Sequence, residues 1–407
     1  MSNKNEDFDN LTEKELKAEL QNKTRIENYL RSEVSNLWSE LNRINALPFN
    51  KLYQKIASKL QKNKPHVNLT KNINISQNKI SNHDEKIKNK KSYDFIFVMP
   101  TNNLELGGVK VANSLASELQ KIGKSVGIIP ILSDPSVSFN PLLITDKSIE
   151  SVSTVVSCGA ETTEYAKNIQ LKFNSNFQLF MQGPDFLFTP KWKNAKEFLA
   201  AIKTANSIVC VSPYLEKLAN SLGGKNIQTI IFGPDTKIFN FKNLKREKVI
   251  MVPCRRDFTK GLRNLLPNLN LLQNFGYKTI GFGDIEDASI ANYFDEFLGR
   301  ITQERLSEYL NCAELIFDPS LIEGLGLITL EAAHCGCIPI VQKRESYEKI
   351  FDVDKKPFIE INDFLDPNEI INSVKLATST LSSELVRSRV KDITFQNGFN
   401  EYIKLKH

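Results

Sequence analysis

Glycine is missing from the first 106 residues of this 407-residue chain, and only Pro48, Pro65 and Pro100 interrupt that stretch before Gly107. So few breakers leave room for long helices there and little room for the tight turns of an α/β domain. Histidine is scarce. The four are His66, His83, His334 and His407, so none falls between residues 84 and 333. The six cysteines (158, 210, 254, 312, 335 and 337) are scattered, several inside apolar strand-like runs. That excludes a disulfide framework and favours reduced core thiols in a cytoplasm. No apolar run reaches 18 residues, which excludes a transmembrane helix. Met1 to Asn10 is polar and acidic, so no secretory leader is expected. Metal-ligand groupings are also thin. Cys335-Gly336-Cys337 has only His334 beside it, and reads as core packing. The triplets Asp7-Phe8-Asp9 and Asp352-Val353-Asp354 do not follow an early nucleotide-domain strand. No metal or other cofactor is expected.

What remains is ordinary globular composition, 41% hydrophobic and 25% charged, in a chain long enough for two domains and an extension. Residues 1–62 read as a helical arm. Within it Leu30, Val34, Leu37, Leu41 and Ile44 follow the 4-3-4-3 spacing of a coiled-coil seam, although Lys23 and Glu27 spoil its backward extension. Such a helix either joins a second copy or another partner, or packs on its own catalytic body. Residues 63–92 read as a basic linker without a core. Between 51 and 91, eleven lysines stand against Asp84 and Glu85, a net +9. The linker is either a solvated spacer or a weak contact with an anionic membrane face. The pI near 8.8 does not imply nucleic acid, because the excess charge sits in this linker and no recognition motif accompanies it.

From Tyr93 the rhythm changes to strands alternating with helices, beginning with the apolar run Phe95-Ile96-Phe97-Val98-Met99. A second such series starts at Lys248. Alternation of this kind means parallel sheets covered on both faces. The expected fold class is α/β: two doubly wound, Rossmann-like domains with a helical N-terminal extension. The first spans 93–235, the second 236–381, and a final helical stretch, 382–407, crosses back over the first.

One run decides the chemistry: Pro319-Ser320-Leu321-Ile322-Glu323-Gly324-Leu325-Gly326-Leu327-Ile328-Thr329-Leu330-Glu331-Ala332. It lies between two apolar runs that read as strands, Leu315-Ile316-Phe317 and Ile338-Pro339-Ile340-Val341. Glycines let backbone N–H groups approach a ligand, and a helix start adds partial positive charge. Gly324, Leu325, Gly326 and Leu327 therefore suit a phosphate or diphosphate. Glu323 precedes the helix, and Glu331 is expected about two turns into it.

This run resembles the Glu-x7-Glu signature of retaining GT-B glycosyltransferases, family 4-like and of the bacterial surface-polysaccharide type. The resemblance implies that Glu323 approaches the donor sugar and that Glu331 holds the nucleotide ribose. It extends diffusely to Leu106-Gly107-Gly108-Val109, whose place after the first strand matches the glycine loop facing the donor across the cleft. It extends also to Pro253-Cys254-Arg255-Arg256-Asp257-Phe258-Thr259-Lys260-Gly261, where Arg255 and Lys260 have the placement of the cations that neutralise the donor diphosphate. Cys254 replaces the usual glycine there, and Arg256 leaves the arginine assignment open. Gly233-Pro234-Asp235 looks like the interdomain hinge. The family's first-domain histidine has no counterpart. Gln182-Gly183-Pro184-Asp185 ends its strand instead, and Gln182 and Asp185 are candidate sugar or acceptor contacts.

The implied function is retaining, metal-independent transfer of a sugar, of hexosyltransferase type. The partners are a nucleotide-sugar donor and a glycan or lipid-linked glycan acceptor. The implied place is the cytoplasm, peripheral to the inner face of the cell membrane. Two rivals are a GT-B-like nucleotide-sugar epimerase and a non-catalytic coiled-coil adaptor with a degenerate transferase body. The His-poor cleft argues against the first. Glu323, Glu331, Arg255 and Lys260 together argue against the second.

Overall fold

A computed structural model of the chain describes residues 90–102, 107–132, 140–184, 192–256 and 258–405. The expected arm, the linker up to residue 89 and Asp185 lie outside them. The first sheet comprises β1 (Lys91–Thr101), β2 (Val126–Leu132), β3 (Ile149–Ser157), β4 (Asn176–Met181), β5 (Ser207–Cys210) and β6 (Ile227–Thr229). Its order is β2-β1-β3-β4-β5-β6, with every pair parallel. Ile96, Phe97, Val98 and Met99 are buried on both faces of β1, which is why the run is apolar rather than alternating. The strand begins at Lys91, inside the segment expected to be linker, because its register with β3 runs back to Ile149. The covering helices are α1 (Gly107–Lys121), α2 (Thr163–Phe173), α3 (Trp192–Thr204) and α4 (Pro213–Ser221).

The second sheet comprises β7 (Glu247–Cys254), β8 (Lys278–Gly283), β9 (Glu296–Phe297), β10 (Ala313–Asp318), β11 (Ile338–Gln342) and β12 (Ile359–Ile361). Its order is β12-β11-β10-β7-β8-β9, again parallel throughout. Around it lie α5 (Leu262–Leu265), α6 (Leu269–Asn274), α7 (Gln303–Cys312), α8 (Leu327–His334) and α9 (Pro367–Thr380). Cys254, Cys335 and Cys337 are buried, as free thiols, in the core of this domain. Open parallel sheets bind ligands beyond the strand C-termini where the strand order reverses. Those points are the ends of β1 and β3 in the first sheet and of β7 and β10 in the second.

The final stretch is two helices, α10 (Ser383–Val390) and α11 (Phe395–Tyr402). The turn at Lys391 and Asp392 breaks it, and Ser382 and Thr394 each cap a helix start with a side-chain oxygen. α10 packs on α8 in the second domain, whereas α11 lies on the first, with Gly398 against Ile231 and Phe232. There Tyr402 Oη donates to Gln178 Oε1 at 2.6 Å, and Phe232 meets the rings of Phe180, Phe395 and Tyr402. Each such ring pair adds about 0.5–1.5 kcal/mol beyond area burial. The chain thus crosses between domains twice. Gly233 presses on the Ile393 carbonyl, and Phe395 N–H donates to the Pro234 carbonyl at 3.0 Å.

Candidate functional site

The deciding run leaves β10 at Asp318 and folds back on the segment after β7. Leu321 N–H donates to the Thr259 carbonyl at 2.7 Å, and this contact brings two remote stretches of sequence together. As a result Lys260 Nζ donates to Glu323 Oε1 at 2.8 Å, with both side chains partly exposed. Arg255 is exposed at the end of β7. Among the described residues it makes no hydrogen bond or ion pair, and it is not joined to Lys260 or Glu323. Arg256 is committed elsewhere, to Asp284 at 2.9 Å. Of the two arginines, Arg255 alone has no partner among the described residues.

Gly326 lies in the left-handed region at φ +78, and a side chain there would collide with Tyr347 Oη. The kink delays the helix. α8 begins at Leu327, so Glu331 sits about one turn in rather than the expected two. Leu325 turns into the core, and Leu327 and Gly326 form the helix start, whose first N–H groups have no partner within the helix.

The opposite wall comes from the first domain. Gly324 lies against the backbone of Gln182 so closely that a Cβ would overlap the Gln182 carbonyl oxygen. The Gln182 side chain meets Gly108, where an added Cβ would stand 2.7 Å from Oε1. Gly107 begins α1 and is exposed, with open space where a side chain would be. Gln182, Gly108 and Gly324 are thus neighbours.

Several residues of the site escaped the sequence reading. Lys110, in the first turn of α1, donates to Glu331 Oε1 at 2.6 Å across the cleft. The trace it left was a lysine in a helix first turn, where the helix dipole disfavours positive charge. Arg344, buried, donates to Asp318 Oδ2 at 2.6 Å, to the Ser320 carbonyl at 2.9 Å and to Tyr347 Oη at 3.0 Å. Tyr347 Oη donates in turn to the Gly326 carbonyl at 3.0 Å, and Thr329 Oγ1 to Asp318 Oδ2 at 2.8 Å. Burial alone would raise the Asp318 pKa; the adjacent guanidinium outweighs it and holds the carboxyl below its ordinary range. This network fixes both ends of the glycine run. The turn Glu345–Tyr347 also packs on α4 of the first domain. His334 is a packed residue: its ring Nε2 lies 2.9 Å from the Ile393 carbonyl, and burial lowers its pKa.

Residues 234–387 match the family model described as glycosyl transferases group 1. No curated protein sequence matches the chain. Among solved structures, the chain is similar to a sucrose-phosphate synthase from Thermosynechococcus elongatus, with TM-score 0.63 and 13% identity over 76% of this chain and 98% of that one. HepE of Anabaena, bound to UDP and glucose, superposes with TM-score 0.58 and 11% identity over 77% and 98%. A glycosyltransferase from Rickettsia africae gives TM-score 0.58 and 15% identity over 77% and 97%. At these identities the likeness shows the fold. It is GT-B, two Rossmann-like domains facing across a cleft.

Proposed function

We propose that the protein is a retaining, metal-independent glycosyltransferase that moves a hexose from a nucleotide sugar to a glycan or lipid-linked glycan. The observation that carries this reading is the meeting of Lys260, Glu323 and the Gly324–Leu327 run at the β7/β10 switch point, opposite Gly108 and Gln182. The HepE structures hold UDP, or UDP-glucose, in the same fold, which supports a nucleotide-sugar donor. In this reading the diphosphate lies on the Gly326–Leu327 helix start, with Lys260 and Arg255 as its cations, and the sugar lies towards Glu323 and Gln182. No helix of the described residues is long and apolar enough to cross a membrane. In this reading a lipid-linked acceptor is met peripherally, at the cytoplasmic face of the membrane.

The reaction breaks the bond between the anomeric carbon and the diphosphate oxygen and forms one to the acceptor oxygen. Negative charge grows on the diphosphate as its bond breaks, and the fixed cations stabilise that charge more than they stabilise the bound donor. A phosphate oxygen of the leaving group takes the acceptor proton. Attack then comes from the face the phosphate leaves, and the anomeric configuration is kept. With an α-linked donor, NMR of the first-formed product is expected to show an α-linkage; a β-linked product overturns this mechanism. Donor-hydrolysis assays across nucleotide sugars identify the base and sugar, and no turnover of any of them removes the reading.

Glu331 supplies a second test. Its carboxylate suits the ribose hydroxyl pair, and hydrogen bonds to a charged group are worth about 1.5–3 kcal/mol. Glu331→Ala is expected to weaken nucleotide binding by about that amount in calorimetry. Unchanged affinity rejects the assignment.

A further inference from the structure

Lys110 is the one cation that the first domain sends to the carboxylate pair of the second, among the described residues. Its ammonium is held on two sides by second-domain groups. Glu331 Oε1 lies 2.6 Å away, and the Phe239 ring centroid lies 5.1 Å away. The Lys110 and Glu331 side chains are only 17% and 7% exposed. Phe239 is fully buried in the second-domain core, so this ring cannot swing to follow the lysine. An ammonium between a carboxylate and an aromatic face is fixed in position rather than solvated.

The consequence concerns Glu331. A carboxylate that is nearly out of water needs a partner to stay charged and directed. It offers about four lone-pair directions over two oxygens. Lys110 takes one of them at Oε1, which sets the plane and rotamer of the group and leaves the other directions for hydroxyl donors. We propose that Lys110 is a positioning residue. It orients Glu331 for the ribose diol, so the nucleotide site is completed by a residue of the opposite domain. This rests on the nucleotide-sugar reading above. It adds that ribose recognition depends on closure, because the second domain alone lacks the group that aims its carboxylate.

The discriminating property is selectivity for the 2′-hydroxyl. A lysine that merely adds positive charge, or merely ties the domains together, affects ribo- and deoxyribonucleotides alike. A lysine that aims Glu331 affects the ribonucleotide more. The experiment is calorimetry on the full chain with the pairs UDP and dUDP, GDP and dGDP, and ADP and dADP. The proteins are the wild type, Lys110→Met and Lys110→Arg, with Lys110→Gln as a second neutral variant should the methionine misfold.

For the pair that binds, wild type is expected to prefer the ribonucleotide about tenfold or more. Lys110→Met should weaken the ribonucleotide about tenfold and change the deoxy partner about twofold, so the preference collapses. Lys110→Arg, which keeps the charge and the contact with the ring, should restore most of it. Equal losses for both nucleotides, or an unchanged preference, overturn the role of Lys110 and leave the nucleotide-sugar reading standing. Binding of none of the six by any of the proteins overturns that reading and this proposal with it.

Discussion

Replacing Lys260 by alanine is expected to lower turnover by about 10²-fold or more while leaving the protein folded. The size follows from position: a fixed charge beside a leaving diphosphate acts where charge develops, and removing one such group costs about 10²–10³ in rate. Lys260 also holds Glu323 at 2.8 Å, so the variant loses a cation and releases a carboxylate beside the proposed donor site. Both changes act against an accumulating anion. Arg255→Ala should give a loss of similar order with little effect on melting temperature, because this exposed arginine has no hydrogen-bond or ion-pair partner among the described residues. Initial rates with and without EDTA complete the test, since protein cations are expected to replace a metal. Full activity in Lys260→Ala, or a strict requirement for magnesium or manganese, overturns the assignment.

Arg344→Met is expected to unfold more easily by about 3–5 kcal/mol, measured by urea denaturation, because it strands the buried Asp318 carboxylate without its counter-charge. Met fills much of the arginine's volume, so the missing charge rather than a void dominates. The pH dependence has a definite sign. In the wild type the folded-state pKa of Asp318 is depressed, so its contribution is complete above the unfolded carboxyl pKa of about 3.9. It is lost as pH falls through the folded value. In Arg344→Met only the hydrogen bonds from Ser320 and Thr329 still oppose burial, so that pKa rises and the penalty should shrink as pH is lowered towards 5. The double variant Asp318→Leu/Arg344→Met should recover much of the loss, since replacing both buried charges by apolar groups is often neutral. A loss below about 1 kcal/mol in Arg344→Met would show that the network does not hold the glycine run.

What the sequence disclosed, and what it concealed, divides along a physical line. The two parallel sheets were legible because burial on both faces writes itself as short apolar runs such as Phe95–Met99 and Leu315–Phe317. The glycine run was legible because its residues are contiguous. Glu331's depth in α8 was misjudged by about a turn, because the left-handed kink at Gly326 is a tertiary matter, set by Tyr347 pressing from another loop. Lys110 and Arg344 were not foreseen as site residues. Their partners lie 221 and 26 positions away, and no periodicity links residues that meet only when sheets and domains close. Gly324 was read as a ligand contact; its closeness to the Gln182 backbone gives it a packing reason that no local pattern carries.

The two crossings between the domains run side by side. Pro234 and Phe395 are joined by a backbone bond, and Gly233 seats against Ile393. Mechanically this is a double flexure. A single connecting strand permits rotation about any axis, but two strands pinned to each other resist twisting and sliding more than they resist bending together. A hinge built this way resists twisting more than bending, as a door on two pins does. Bending about such pins displaces the groups beside them least and the far lip of the cleft most.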